Sequence, residues 1–339
     1  MSSPLKQIIQ HLQALREKLQ GLESANDWQT VIEKRREIAE QYANADPSIR
    51  VMPSGIIQRP VALFEDINGE WLYQSEVVKS GNRLLYIHGG GGAHGRLSPR
   101  LNFAAKLADA TATAVLAIDY RQLPQYPYPA SLADCLAAYV WLLAHGPDDN
   151  SSALHIFVLG EAEGGTLALS TLQNIKRRDL KSPDAAVALS PLTDWSGASD
   201  SWTRLENIDP FLSRQFLCNH RRHFLNGIDD LKDPLASPLY GDLNGSPPML
   251  LQVGGREILL DDAKRFAEKV TASKGSVILD IFPGMPHAFQ LFSPFLDEAT
   301  TALKRIADFI HSPICPPKSG EVIQLRPKNL KRWENGNEL

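Results

Sequence analysis

Apolar residues recur at helical spacing through the first stretch of the chain. Leu5, Ile8, Ile9, Leu12, Leu15, Leu19 and Leu22 fall on one stripe over residues 4–22, the period of an amphipathic helix. Residues 27–44 repeat the pattern, with Trp28, Val31, Ile32, Ile38 and Tyr42 apolar and charges between them. The stripe is too short for several heptads, so it predicts a helical hairpin lying on a larger domain rather than a coiled coil. A homodimer through these helices is left open.

The period then changes. Residues 61–74, VALFEDINGEWLYQ, predict a β-hairpin that turns at Asn68-Gly69. Beyond it, short apolar runs alternate with longer helical stretches. The strands are predicted at 83–88, 113–119, 154–160, 185–190, 248–254 and 277–283. The helices are predicted at 98–110, 131–145, 163–177, 261–273 and 294–311. Continuous apolar strands separated by helices imply an α/β protein with a mainly parallel central sheet covered on both faces. Residues 191–247 carry no strand signal and read as an insertion, helical around 209–225. Residues 313–339, with four prolines and few apolar residues, predict a loosely packed polar tail.

Composition narrows the function. Of 339 residues, 43% are hydrophobic and 22% charged, the balance of a soluble globular protein. Lys plus Arg number 35 against 39 Asp plus Glu, which gives no basic footprint for nucleic acid or an anionic membrane. Cys135, Cys218 and Cys315 are far apart and form no C-x-x-C pair, which argues against a disulfide framework or a thiolate zinc site. The N-terminus lacks the apolar core of a signal peptide. The most apolar stretch, 104–118, carries Lys106 and Asp109 and does not read as a membrane span. A reducing, cytoplasmic setting is expected.

Ligands of parallel sheets sit beyond the carboxyl ends of the strands. There the sequence places His88 followed by Gly89–Gly92, the segment Gly160–Gly165, the segment Gly255–Asp262 and the segment Gly284–Phe289. A glycine run exposes backbone N–H groups that suit an oxyanion. A phosphate loop is the alternative, but neither G-x-x-x-x-G-K-[ST] nor G-x-G-x-x-G is present. Residues 160–165, GEAEGG, have the form of the tight strand–turn–helix called a nucleophile elbow.

Taken together, HGGG at 88–91, DYRQLPQYPYPA at 119–130, GEAEGG at 160–165, SPLTDWS at 190–196, GGREILLDDA at 254–263 and PGMPHAF at 283–289 resemble the hormone-sensitive-lipase family of α/β-hydrolases. The resemblance runs from about residue 83 to 311, and the first sixty residues share only a helical character. It implies an α/β-hydrolase fold with a helical cap: an N-terminal cap segment at 1–55, a catalytic domain at 56–312 with a cap insertion at about 191–247, and the tail at 313–339. It also implies a triad in the chain order nucleophile, acid, histidine. His287 matches the family histidine. Glu257 aligns with the acid, while Asp261 and Asp262 read as charging the start of the next helix. The backbone N–H groups of Gly90, Gly91 and Glu163 match the oxyanion donors. The implied partner is a small-molecule ester or lactone, and no metal or organic cofactor is implied.

The chain departs from the family at the nucleophile. Position 162 carries alanine where the family has serine, and a methyl group cannot attack a carbonyl. Glu161 and Glu163 flank it but are no replacement, since the elbow aims only position 162 at the substrate. Glu163 is itself unusual, as the family commonly has alanine there. Ala162 reads as a serine-to-alanine exchange in an ester hydrolase, inactive as written. The alternative is a natural non-hydrolytic member, either a small-molecule binding protein or a lyase or cyclase that uses His287 and the glycine loop. Elsewhere, Asp119 and Arg121 read as a structural ion pair, and Asp194 as structural. His220 and His223 have a spacing that could seat a metal on a helix, but no carboxylate lies at metal-ligand spacing within the cluster, and Arg221, Arg222 and His223 read as a solvated helix face.

Overall fold

The computed structural model describes residues 3–23, 29–34, 36–37, 52–64, 67–90, 97, 100–148 and 151–312. Gly91, Trp28, Cys315, most of the second N-terminal helix and the tail at 313–339 lie outside the described residues. The described residues 29–34 and 36–37 are helical.

Eight strands form one sheet: β1 (Ile57–Phe64), β2 (Ile67–Tyr73), β3 (Asn82–Ile87), β4 (Ala114–Asp119), β5 (His155–Glu161), β6 (Ala185–Leu189), β7 (Met249–Gly254) and β8 (Val277–Phe282). Their order is β1-β2-β4-β3-β5-β6-β7-β8. β1 and β2 pair antiparallel with their neighbours, and the remaining pairs are parallel. The helices are α1 (Pro4–Glu23), α2 (Leu101–Thr111), α3 (Ala130–Leu142), α4 (Glu163–Arg177), α5 (Arg214–Leu225), α6 (Leu260–Ala272) and α7 (Asp297–His311). All six predicted strands after the hairpin form, as do the helices between them.

The parallel strands are apolar throughout because both faces are covered. In β3, Leu84 and Tyr86 join a core with Phe103 and Ala104 of α2 and Ile306 of α7. The alternate residues Leu85 and Ile87 join the opposite core with Tyr139 of α3 and Leu167 of α4. Side chains of period two thus feed two separate helix layers.

The hairpin turn is a correction. Asn68 and Gly69 do not turn the chain; they lie inside β2, paired with Ala62 and Val61 of β1. The connection runs instead between Phe64 and Ile67. Gly69 is required for a different reason: a Cβ there would stand 2.8 Å from the carbonyl oxygen of Ala117 in the adjacent β4. A glycine inside a strand marks such a close approach as readily as a turn.

Two elements lie over the carboxyl ends of the strands. α1 places Ile8 and Leu12 in a core with Phe282, Met285, Phe289 and Phe292, which surround the segment after β8. Arg16 donates to the carbonyl oxygens of Glu206 and Asp209 and pairs with the Glu206 carboxylate at 3.3 Å. Residues 191–247 form no strand. They contain α5, whose first turn is capped by Ser213 Oγ accepting from Phe216 N at 3.0 Å.

At the far edge, α7 is pinned to the sheet by charge. Asp280 of β8 is fully buried, and Arg305 of α7 donates to it from Nε at 2.5 Å and Nη2 at 2.6 Å. Gln252 of β7 adds a bond to the Ala302 carbonyl at 3.1 Å. Removing the arginine strands a buried carboxylate. Arg305→Ala is therefore expected to lower the unfolding free energy by about 3 kcal/mol, the low end for a broken buried pair because Arg305 is partly exposed. Urea melts that superimpose on those of the unaltered chain would refute this.

Candidate active site

The elbow is built from steric necessity. β5 ends at Glu161, α4 begins at Glu163, and Ala162 joins them at φ 54, ψ −121. A non-glycine residue pays for such a conformation in strain and holds it only where its surroundings over-determine it. Here they do. A Cβ on Gly160 would lie 2.0 Å from the Gly164 carbonyl oxygen, and a Cβ on Gly164 would lie 2.0 Å from that of Ile87. Ala162 N donates to Leu189 O at 2.8 Å, which fixes the turn to β6. Residue 162 is left partly exposed at the carboxyl end of the sheet.

The glycine segment after β3 closes on this elbow. A Cβ on Gly89 would meet the Ala162 Cβ at 2.9 Å and the Glu161 carbonyl oxygen at 2.4 Å. Gly90 follows at φ 138, a conformation that side chains disfavour. Glu161 accounts for the closure: its buried Oε1 accepts from Gly89 N at 2.7 Å and pairs with Arg100 Nε at 3.0 Å. It is a tether between elbow and loop, a role the sequence did not disclose. His88 is buried, stacked on Tyr120 with centroids 4.7 Å apart. Burial pushes its pKa down to about 4, so the ring is neutral near pH 7.

His287 lies in the turn after β8. Its Nδ1 stands 2.6 Å from Glu257 Oε2. Glu257 is fully buried, and its other oxygen accepts from Gly254 N at 2.6 Å and Ser190 Oγ at 2.8 Å. Ser190 Oγ in turn accepts from Ala288 N at 3.1 Å, tying the histidine turn to the end of β6. Asp261 instead pairs with Arg204 at 2.7 Å and Lys264 at 3.2 Å. Asp262 accepts from Thr193 N, Asp194 N and Trp202 Nε1, and burial pushes its pKa up to about 7. Of the three acids in this segment, Glu257 is the one that bonds His287.

A further carboxylate, Asp209, enters from the insertion. It is buried and accepts from Phe211 N, Leu212 N and Ile258 N at 2.8–2.9 Å. Burial pushes its pKa up to about 6, against the pull of His287. No spacing rule singled it out, since its donors come from two distant segments. Burial alone would disfavour a charged His287, but Glu257, Asp209 and Glu161 together outweigh it and hold its pKa above the ordinary value. Phe211 stacks on the ring at 6.3 Å between centroids.

Other sequence readings resolve as follows. Asp194 pairs with Arg265 at 2.7 Å, and Arg121 binds Asp134 of α3 through Nε and Nη2. Of the three residues read as a solvated face, Arg222 is exposed while Arg221 and His223 are half-buried. His220 is 2% exposed, and its Nε2 lies 3.5 Å from the Oε2 of Glu163. Arg221 donates to the Trp195 carbonyl at 2.9 Å. The carboxylate that the local sequence lacked is supplied by the elbow.

A strand–elbow–helix, a glycine segment tethered to it and a carboxylate–histidine pair at the ends of later strands define an α/β-hydrolase. A family model described as alpha/beta hydrolase fold matches residues 84–291. An acetyl-hydrolase of Streptomyces hygroscopicus is 31% identical over 83% of this chain and 90% of its own length. An esterase of Acinetobacter venetianus is 34% identical over 75% of this chain and 82% of its own. Among solved structures, an esterase from the bacterial hormone-sensitive lipase family superposes with a TM-score of 0.77 at 30% identity, covering 91% of this chain and 98% of that one. The chain belongs to the hormone-sensitive-lipase family of α/β-hydrolases.

The charge balance at His287 is directly measurable. In histidine ring NMR against pH, His287 is expected to titrate above 6.5 in the unaltered chain. In Glu257→Gln it is expected to fall, because the charge and hydrogen bond of Glu257 are the largest contributions that oppose burial. A raised folded pKa means that the pair stabilises the fold fully below the ordinary histidine range and ceases to as pH rises through the raised value. A ring that titrates below 6.5, or one unmoved by the glutamine, would overturn this account.

Proposed function

We propose that this chain is a carboxylic ester or lactone hydrolase of the serine type in which alanine occupies the nucleophile's place, so that it binds ester but forms no acyl-enzyme. The observation that carries this reading is Ala162 itself: it sits at φ 54 on the elbow, with the His287–Glu257 pair at 2.6 Å intact beside it. In the serine form, the hydroxyl at 162 would attack the carbonyl carbon and pass its proton to His287. His287 would then return that proton to the leaving alcohol. Glu257 would hold the imidazole tautomer and stabilise its positive charge. The backbone N–H groups of Gly90, Gly91 and Glu163 would receive the oxyanion. α1 and residues 191–247 would act as the cap that excludes water. None of these steps needs a metal or organic cofactor.

A second reading, a natural non-hydrolytic member, is favoured by one observation. Glu163 is not an isolated departure, because its carboxylate faces a buried histidine from the insertion. A single serine-to-alanine exchange does not account for that pair. Among the described residues, Cys135 and Cys218 are free thiols. No helix among the described residues is long and apolar enough to cross a membrane.

Hydrolysis of a p-nitrophenyl acyl series by the unaltered chain and by Ala162→Ser tests the proposal. The serine form is expected to exceed the unaltered chain by about three orders of magnitude or more in kcat/KM. If both are silent while circular dichroism shows both folded, the ester-hydrolase reading fails.

A further inference from the structure

The buried carboxylates around the site follow one rule. Glu161 accepts from a backbone N–H, Glu257 from a backbone N–H and a serine, Asp209 from three N–H groups, and Asp262 from two N–H groups and an indole. Glu163 breaks the rule. Its side chain is 8% exposed and that of His220 is 2% exposed. Glu163 Oε2 and both ring nitrogens of His220 have no hydrogen-bond partner among the described residues. The two groups stand 3.5 Å apart, longer than a good hydrogen bond. The walls around them are aromatic: Trp195, Phe216 and Phe224 have ring centroids 5.2–5.8 Å from one another or from His220. Those walls offer the pair no acceptor. Buried polar groups are ordinarily paired with protein, water, an ion or a bound molecule, so these two call for a partner.

We infer that Glu163 and His220 form a recognition site for a hydroxyl group of the ligand. The inference rests on the ester reading above. A hydroxyl matches both side chains: it donates its hydrogen to Glu163 Oε2 and accepts from a ring N–H of His220. A plain alkyl chain leaves both side chains unpaired. A protonated amine satisfies Glu163 but offers nothing to the His220 donor. Sites built to hydrogen-bond a hydroxyl reject the analogue that lacks it far more strongly than apolar pockets reject an added one.

Because the chain has no nucleophile, esters serve as stable ligands for titration calorimetry. Ethyl butyrate is compared with ethyl 3-hydroxybutyrate, whose hydroxyl is on the acyl part, with 2-hydroxyethyl butyrate, whose hydroxyl is on the alcohol part, and with ethyl 3-aminobutyrate. At least one hydroxy ester is expected to bind the unaltered chain about tenfold or more tighter than ethyl butyrate. That ratio is expected to fall toward one in Glu163→Ala and in His220→Phe. Should either variant fail to fold, the ratio in the unaltered chain and in Glu163→Gln decides. Ethyl butyrate binding as tightly as both hydroxy esters overturns the inference, as does a preference that survives loss of either side chain. Tightest binding of the amino ester replaces the hydroxyl assignment with an ammonium site. Ala162→Ser activity on p-nitrophenyl butyrate separates the two proposals. An active serine form without hydroxyl preference refutes the recognition site alone. A silent serine form with the preference intact refutes the hydrolase reading and leaves a hydroxyl-recognising binding pocket.

Discussion

Helix α4 can begin where it does only because Gly164 passes against the carbonyl oxygens of Ile87 and His88 without a side chain. That contact brings the start of α4 up against β3. It forces the backbone at 162 into a left-handed conformation, and it sets the backbone N–H groups of the first helical turn beside the glycine segment. Everything else in the site is referred to this point. Glu161 binds the glycine segment from the end of β5, Ser190 approaches from β6, Glu257 from β7 and His287 from β8. The sheet supplies rigidity, and the sterically closed elbow converts it into a fixed position for one side chain. Alanine retains that position.

Electrostatics is organised around a single imidazole. Three carboxylates, Glu257, Asp209 and Glu161, favour its charged form against burial. Each is held by backbone or arginine donors, so the negative charge is fixed before any reaction begins. Such preorganised charge acts without the reorganisation that water would require. Asp209 reaches this cluster from the insertion and is backed by Arg16 of α1, which binds its carbonyl oxygen. The covering elements therefore contribute charge to the site as well as enclosure.

Much of this was legible in the sequence, and the failures have physical causes. The six strands after the hairpin were readable because burial on both faces makes a strand continuously apolar, as in RLLYI of β3. The glycine segment, the elbow and His287 were readable because each follows a strand at its ligand-binding end. Asn68-Gly69 misled because glycine serves two different needs, a positive φ or a missing Cβ, and the sequence does not say which. The carboxylate that meets His287 was ambiguous among Glu257, Asp261 and Asp262 because all three lie within the eight residues after β7, and only the fold shows which bonds the imidazole. Glu163 and His220 were seen separately, one as an anomaly and the other as a metal-ligand candidate lacking a carboxylate. Their meeting depends on how α5 lies over the elbow, which no local pattern encodes.

The packing of α1 has a consequence for how the chain is made. Ile8 and Leu12 find their partners among Phe282, Met285, Phe289 and Phe292, near the opposite end of the sequence. On the ribosome the first helix emerges long before those residues exist, and at ordinary elongation rates it waits on the order of half a minute for them. Throughout that interval its apolar stripe has no native surface to cover it. Closing so long a loop comes late, after the local βα units have condensed. The helix is thus synthesised well before the residues it packs against and docks late.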